Sequence, residues 1–324
     1  VIKLFRLDEW ELIKAIRKEF QGPNKGLLLG IGDDAAVIKS GGTNFVVTKD
    51  LLIEDVHFVL PNHPPRLLGR KSLNVNLSDL AAMGALPKYA LLGLGLPPKT
   101  ETKWVGEFFG GFKSAAKEFE VSLIGGDITR ASKVTVSVTL LGEGTNIIRR
   151  DGAKPGHLLF VSGPLGDARE GLCLMRKGIA PSKNRRQNRM LRAFLNPSPQ
   201  VELGGELARL KLPSAMIDIS DGLSMDLSHI CDGSGCGAEV YLDKLPISEE
   251  LKALQRKALD FALNGGEDYQ LLFSVPERNI NFLSGLGKKF TLFEIGRMIK
   301  EKGIYVVDRR GQRNELQPKP WSHF

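Results

Sequence analysis

Acidic side chains in this chain gather where glycine-flanked turns meet apolar runs. Asp33 and Asp34 stand side by side in "GIGDDAAVI" (30–38), Asp50 in "VVTKDLL", Asp79 in "NLSDLAAMG", Asp127 in "IGGDIT", and Asp218 with Asp221 in "IDISDGL". "NGGEDYQ" (264–270) adds Glu267 and Asp268. Carboxylates meeting in one cleft stay ionised only when protons or cations screen them. Hard oxygen donors without His or Cys select Mg²⁺, which keeps several waters and takes substrate phosphates as further ligands. Adjacent aspartates at 33 and 34 are tolerable if magnesium ions bridging to a polyphosphate share their charge. Taken singly, each acid also has a plain structural role. Asp221 would cap a helix beginning at Gly222, "GGD" and "NGG" would be turns, and Asp79 would be a solvated helix residue.

Other nucleotide and hydrolytic signatures are missing. The sequence has no G-x-x-x-x-G-K-[ST] phosphate loop. Gly30, Gly32 and Ala35 satisfy G-x-G-x-x-A, but a dinucleotide loop receives pyrophosphate on bare backbone amides, and two aspartates there would repel it. There is no H-E-x-x-H and no Ser-His-Asp order, and five histidines without Cys/His clusters argue against zinc.

The elements that must position these acids alternate between helix and strand. "DEWELIKAIRKEF" reads as a helix capped by Asp8, with Glu11 three residues on. "AAVIK" and "FVVTKDLLI" form a hairpin about "SGGTN". A helix spans 64–84, opening on proline and closing at Gly84. On it Leu73, Leu77 and Leu80 make an apolar stripe, while Asp79 and Asn76 share the opposite, polar side. The strands "YALLGLGL", "VSLI" and "KVTVSVTLLG" follow, with a helix over 100–119 between the first two. Asp50, Asp127 and Asp218 are each expected where a β-rich run ends, the place where α/β sheets put ligands. In the second half, helices over 165–177, 200–210 and near 248–258 alternate with the strands "LLFVSG", "SAMIDIS", "GAEVYL", "YQLLFSV", "TLFEIG" and "GIYVVD", and a helix "GLSMDLSHICD" follows "SAMIDIS". The fold class is α/β (α+β) in two domains with mixed and antiparallel sheets flanked by helices. The boundary falls near the polar "RRDGAKPGH", giving domains 1–147 and 148–324.

With 324 residues, 42% of them hydrophobic and 25% charged, the chain has the composition of a globular protein with a real core. No apolar run approaches the ~20 residues of a membrane span, and the charged N-terminal stretch is not a secretory signal. Three cysteines without framework spacing fit a reducing cytoplasm. The net charge of +8 is spread along the chain, and its densest stretch, 176–192, lacks the interleaved aromatics of a base-stacking platform. It reads as a solvated basic helical hairpin, so a nucleic-acid partner is not expected.

Taken together and in order, "GIGDDAAVI", "TKDLLIEDVHF", "NLSDLAAMGA", "LIGGDITR", "RRDGAKPGH", "IDISDGLSMDL", "NGGEDYQLLF" and the terminal "WSHF" resemble the thiamine-monophosphate kinase family, within the superfamily of aminoimidazole ribonucleotide synthetase. The resemblance implies Mg²⁺-dependent transfer of the γ-phosphoryl of ATP to thiamine monophosphate, directly and without a phosphoenzyme, yielding thiamine diphosphate. Carried over by motif, Asp33, Asp34, Thr48, Asp50, Asp79, Asp127, Asp218 and Asp221 would hold several magnesium ions. Phe109, Gly126, Asp127, Arg150 and Ser220 would contact ATP, and His57, Glu267 and Trp321 the thiamine moiety. His57 has an alternative as a surface partner of Asp55 or Glu54, and Trp321 as a core plug. Two positions depart from the family pattern. Lys49 stands where a hydroxyl residue is common, and a lysine ammonium does not ligate magnesium. Phe109 stands where a tyrosine is common. The resemblance also implies a homodimer paired through the N-terminal sheets. Competing readings are another synthetase of the superfamily, a metal–nucleotide sensor that binds without turnover, and an RNA binder with steep salt dependence.

Overall fold

The computed structural model describes residues 9–20, 24–181 and 183–319. Trp321 and the "WSHF" tail, and the Asp8 cap, lie outside these residues. The first half runs α1 (Glu9–Phe20), β1 (Leu27–Leu29), β2 (Ala36–Ser40), β3 (Thr43–Ile53), α2 (Pro65–Ala82), β4 (Leu86–Leu96), α3 (Thr102–Glu118), β5 (Ser122–Arg130) and β6 (Thr135–Gly144). Its strands make a six-stranded sheet in the order β1-β2-β3-β6-β4-β5. All pairs are antiparallel except β4–β5, which is parallel because α3 carries the chain back over the sheet.

The second half runs β7 (Leu158–Val161), α4 (Asp167–Arg176), α5 (Arg185–Leu195), α6 (Val201–Arg209), β8 (Ala215–Asp218), α7 (Leu223–Ser234), β9 (Gly237–Tyr241), α8 (Glu249–Leu254), α9 (Ala258–Asn264), β10 (Leu271–Val275), α10 (Ile280–Leu286), β11 (Phe293–Ile299), β12 (Ile304–Val307) and β13 (Arg313–Glu315). Seven strands form the second sheet, ordered β13-β12-β9-β11-β7-β10-β8. Two sheets flanked by helices agree with the expected class. The expected helix near 248–258 is instead two short helices, and α10 and β13 were not foreseen.

Helix α2 lies at the centre. It packs against α3 and α6 and touches β3 and β6 of the first sheet and β8 of the second. Burial is accordingly almost all round, including Lys71, Ser72, Asn74, Asn76 and Ser78. The side carrying Asp79 is therefore walled by protein, which removes the solvated reading. A helix so enclosed must approach other backbones closely. A Cβ at Gly69 would lie 2.0 Å from the carbonyl oxygen of Phe108, and one at Gly111 of α3 only 1.8 Å from that of Arg66. One apolar core joins α2, α3 and the first sheet to Val201, Leu207, Met216 and Phe273 of the second half.

Two expectations about strand ends are corrected. Asp50 lies inside β3 and Asp127 inside β5; of the three, Asp218 alone closes its strand. The glycines of "IGGDIT" do not turn the chain. A Cβ at Gly126 would meet the carbonyl oxygen of Leu92 at 1.9 Å, so glycine there permits β5 to lie tightly along β4.

Candidate active site

Three elements bring the acids together. Alternation along β3 turns Thr48 and Asp50 toward α2. There the Thr48 hydroxyl donates to the Asp79 carboxylate, and the Asp50 backbone N–H donates to Oδ1 of Asn76 at 3.1 Å. From β8, Asp218, only 2% exposed, accepts a hydrogen bond of 2.6 Å from the Ser78 hydroxyl. The Asp33–Asp34 turn faces the same space. Its charge is met in this structure by Arg150, whose Nη2 lies 2.6 Å from Asp34 and whose Nε lies 3.4 Å from Asp33. Arg150 was expected on ATP; here it closes on the two aspartates.

These carboxylates resist ionisation. Burial pushes Asp34 up to about 8 against the pull of Arg150, with Asp218 and Asp33 adding repulsion. Asp50 is pushed to about 6 by burial and by Glu267, and Asp218 to about 7 by burial against the Ser78 hydrogen bond. Asp79 rises well above the carboxylate range through burial, Asp50 and Asp218. One oxygen of Asp34, Oδ2, is buried without a hydrogen-bond partner. A set of all-oxygen donors with mutual repulsion and an orphaned oxygen is what a hard divalent cation satisfies.

Beside the acids a cleft opens, lined by Asp50, His57, Ser220, Asp221, Glu267 and Tyr269 among others. His57 accepts a hydrogen bond at Nδ1 from the Ile53 N–H (3.0 Å), which leaves Nε2 as its protonated nitrogen. Its proposed surface partners are engaged elsewhere, Asp55 with Lys133 and Glu54 with the Val134 N–H. Asp221 has a second setting. Its carboxylate, that of Asp226 and the His229 ring offer ligand atoms within 4.8 Å of one another. Asp226, however, already accepts from the N–H groups of Asp221 and Gly222.

Not every expected residue joins this cleft. Asp127 pairs with Gly93, and Gly93 with Ser137, which in turn pairs with Leu51. Paired residues share a face, so Asp127 points with Leu51 to the side of the sheet opposite Asp50. Two strands separate β3 from β5, which sets Asp127 about 14 Å from the Asp50 row. Gly126 shares that exposed edge. Phe109 packs against the core, edge-to-face on Phe108 with centroids 5.6 Å apart. Lys49 also faces away, its ammonium donating to Ser137, in keeping with its exclusion from the metal set.

Family models of the AIR synthase related proteins match both halves, the N-terminal domain at residues 32–143 and the C-terminal domain at 154–309. The thiamine-monophosphate kinase of Aquifex aeolicus is 36% identical, with 100% of each chain covered. That of Buchnera aphidicola subsp. Acyrthosiphon pisum is 40% identical over 98% of each. The chain belongs to the thiamine-monophosphate kinase family. Among solved structures, AaThiL complexed with AMPPCP and TMP superposes with a TM-score of 0.88 at 35% identity, covering 100% of this chain and 99% of that one.

Sequence reasoning missed several residues of the site. Ser78, Asn76 and Lys71 all lie on α2 and all bond to site residues. The signal was available: Lys71, Asn74 and Ser78 recur at i, i+3 and i+7 on a helix that otherwise reads as core. Asp268 has a structural role, accepting from the N–H groups of Gly166 (2.7 Å) and Ala168 (3.3 Å) at the start of α4.

Proposed function

We infer that this protein is a kinase that uses ATP to phosphorylate thiamine monophosphate, and that magnesium ions serve the transfer. The observation that carries this reading is the convergence of Asp34, Asp50, Asp79 and Asp218 at the junction of β3, α2 and β8, where burial and repulsion hold them poorly ionised without a cation. The γ-phosphoryl leaves the β,γ-bridging oxygen of ATP, which departs with ADP, and bonds to a phosphate oxygen of thiamine monophosphate. That acceptor is already ionised near neutrality, its second pKa being about 6, so no strong general base is needed. Magnesium, when bound, neutralises charge on the phosphates and aligns them. Asp33, Asp34, Thr48, Asp50, Asp79, Asp218 and Asp221 are the residues that would hold it. Arg150, which lies beside Asp33 and Asp34, would fork onto phosphate oxygens. His57 and Glu267 line the side of the cleft given to the thiamine moiety.

We further propose a homodimer formed through the open face of the first sheet. Ile38, Leu51, Tyr89 and Leu91, large apolar side chains that a partner surface would cover, stand exposed there with Lys49 and Ser137 among them. Asp127 and Gly126 sit at the edge of the same surface, so pairing offers them to the cleft of the other copy. The domain division at 147 is retained, supported by the separate sheets on either side. Three free cysteines support a reducing, cytoplasmic setting, and no helix among the described residues is long and apolar enough to cross a membrane.

The test is turnover. Purified protein with ATP, Mg²⁺ and thiamine monophosphate is expected to form thiamine diphosphate, with thiamine and thiamine diphosphate inert as acceptors. Mg-ATP binding without product would overturn the substrate and keep the metal cleft.

A further inference from the structure

The phosphoryl-transfer scheme leaves Lys71 without a part, although it is a lysine with no exposed surface near the middle of α2. A buried ammonium persists only with compensation, and two groups supply it. One is the Glu267 carboxylate, salt-bridged through Oε2. The other is the ring of Phe194 on α5, whose centroid lies 3.7 Å from Nζ. Among the described residues, Lys71 is the salt-bridge partner that Glu267 has.

Glu267 needs holding. It adopts a left-handed backbone with φ at 71°, and Tyr269 follows at 49°, conformations that non-glycine residues keep only where the surroundings enforce them. Its N–H donates to the Ser220 carbonyl (2.8 Å), which ties this turn to the β8–α7 junction. The side chain, 23% exposed, faces the cleft beside acids that repel it, Asp50 among them. A carboxylate so placed swings toward solvent unless a cation fixes it from within.

We propose that Lys71 is the positioning residue of the acceptor side of the cleft: braced by the Phe194 ring, it fixes the Glu267 carboxylate through Oε2 and leaves Oε1 to meet the cationic heterocycle of the acceptor. This rests on the acceptor assigned above. The arrangement couples α5, the helix of the basic 176–192 region, to the acceptor side and not to the nucleotide.

The experiment measures kcat and KM for both substrates at saturating Mg²⁺ in wild type, Lys71→Met, Glu267→Gln and the double variant. Each single change is expected to raise KM for thiamine monophosphate about tenfold, the scale of one charge-assisted contact. KM for ATP and kcat should stay within about threefold. The double variant should be no worse than the weaker single, because the two side chains act as one unit. Additive losses, a parallel rise in KM for ATP, or an unchanged KM for the acceptor in Lys71→Met would each overturn the proposal. Should Lys71→Met not fold, Phe194→Leu keeps the ion pair and removes its brace. It is expected to raise the acceptor KM alone by about threefold, and no change there would also overturn the proposal. A wild type that never phosphorylates thiamine monophosphate fails the assignment of substrate instead, and is distinguished at the first measurement.

Discussion

On β3, Thr48 and Asp50 face helix α2 and are buried or half-buried, whereas Lys49 and Leu51 face the other way and stand exposed. A similar alternation runs along β6, while the edge strand β5 is exposed throughout. The inner face of the first sheet, sealed by α2 and α3, concentrates carboxylates whose burial makes them seek a cation. Its outer face carries Ile38, Leu51, Tyr89 and Leu91 with Lys49 and Ser137 among them and Asp127 at the rim, and is the face proposed for pairing. A strand that serves both faces commits every second residue to one of them, so β3 can offer carboxylates to the proposed site and Leu51 to the proposed dimer surface from a single stretch of backbone.

The largest expected break in this division is on the inner face. Asp79→Asn should lower kcat about 10³-fold, several kcal/mol of metal-borne stabilisation being lost. Thermal stability should be little changed, since burial already disfavours the ionised Asp79 carboxyl and the amide keeps its size. Steady-state turnover beside a melting curve checks both. Next comes the rim. Asp127→Asn alone should also be nearly inactive, yet mixing it with Asp79→Asn through unfolding and refolding should restore about a quarter of wild-type activity if the copies are two-fold related and share sites. No recovery would confine Asp127 to its own chain. On the outer face, Leu91→Arg should halve the mass seen by sedimentation while the folded state persists, and activity should fall as far as in Asp127→Asn, because each site then lacks the Asp127 its partner would offer.

The smallest effect is a pH dependence confined to the inner face. Asp50, Asp218 and Asp34 have folded values raised to about 6, 7 and 8. Their protonated forms favour the fold, so stability is greatest below the unfolded value near 4 and is lost as pH rises through 6 to 8. Without Mg²⁺ the melting temperature should therefore decline across pH 5 to 8.5. Added Mg²⁺ should raise it more at pH 8.5 than at pH 5.5, and an equal rise at both would count against the carboxylates as the ligands.

The acids were legible because their chemistry is local. A pair such as Asp33–Asp34 just after two glycines has few other uses, and the "IDISDGL" junction is written in consecutive residues. Helix α2 was legible as a helix, but not as one enclosed on every side, because enclosure depends on α3, α6 and β8 arriving from distant parts of the chain. For that reason Asp79 kept a solvated alternative and Lys71 went unnoticed. Asp127 was misplaced for a related cause. "GGD" carries the composition of a turn, and only the pairing partner, the Leu92 backbone, shows that the glycines make room for a neighbouring strand. The face on which Asp127 lies follows from register across four strands, which no short window of sequence contains.

The close seating of α2 on α3 has a mechanical corollary. With Gly69 and Gly111 so close to opposing carbonyls, the two helices are seated backbone to backbone, and a methyl group added at either position would push them apart. Lys71, Asn76, Ser78 and Asp79 are thus graduations on one stiff rule, read against β3 on one side and the second sheet on the other. Any disturbance of the rule would displace the proposed acceptor anchor and the proposed metal ligands together, so their spacing would be gauged by a single helix whose zero mark is a pair of missing methyl groups.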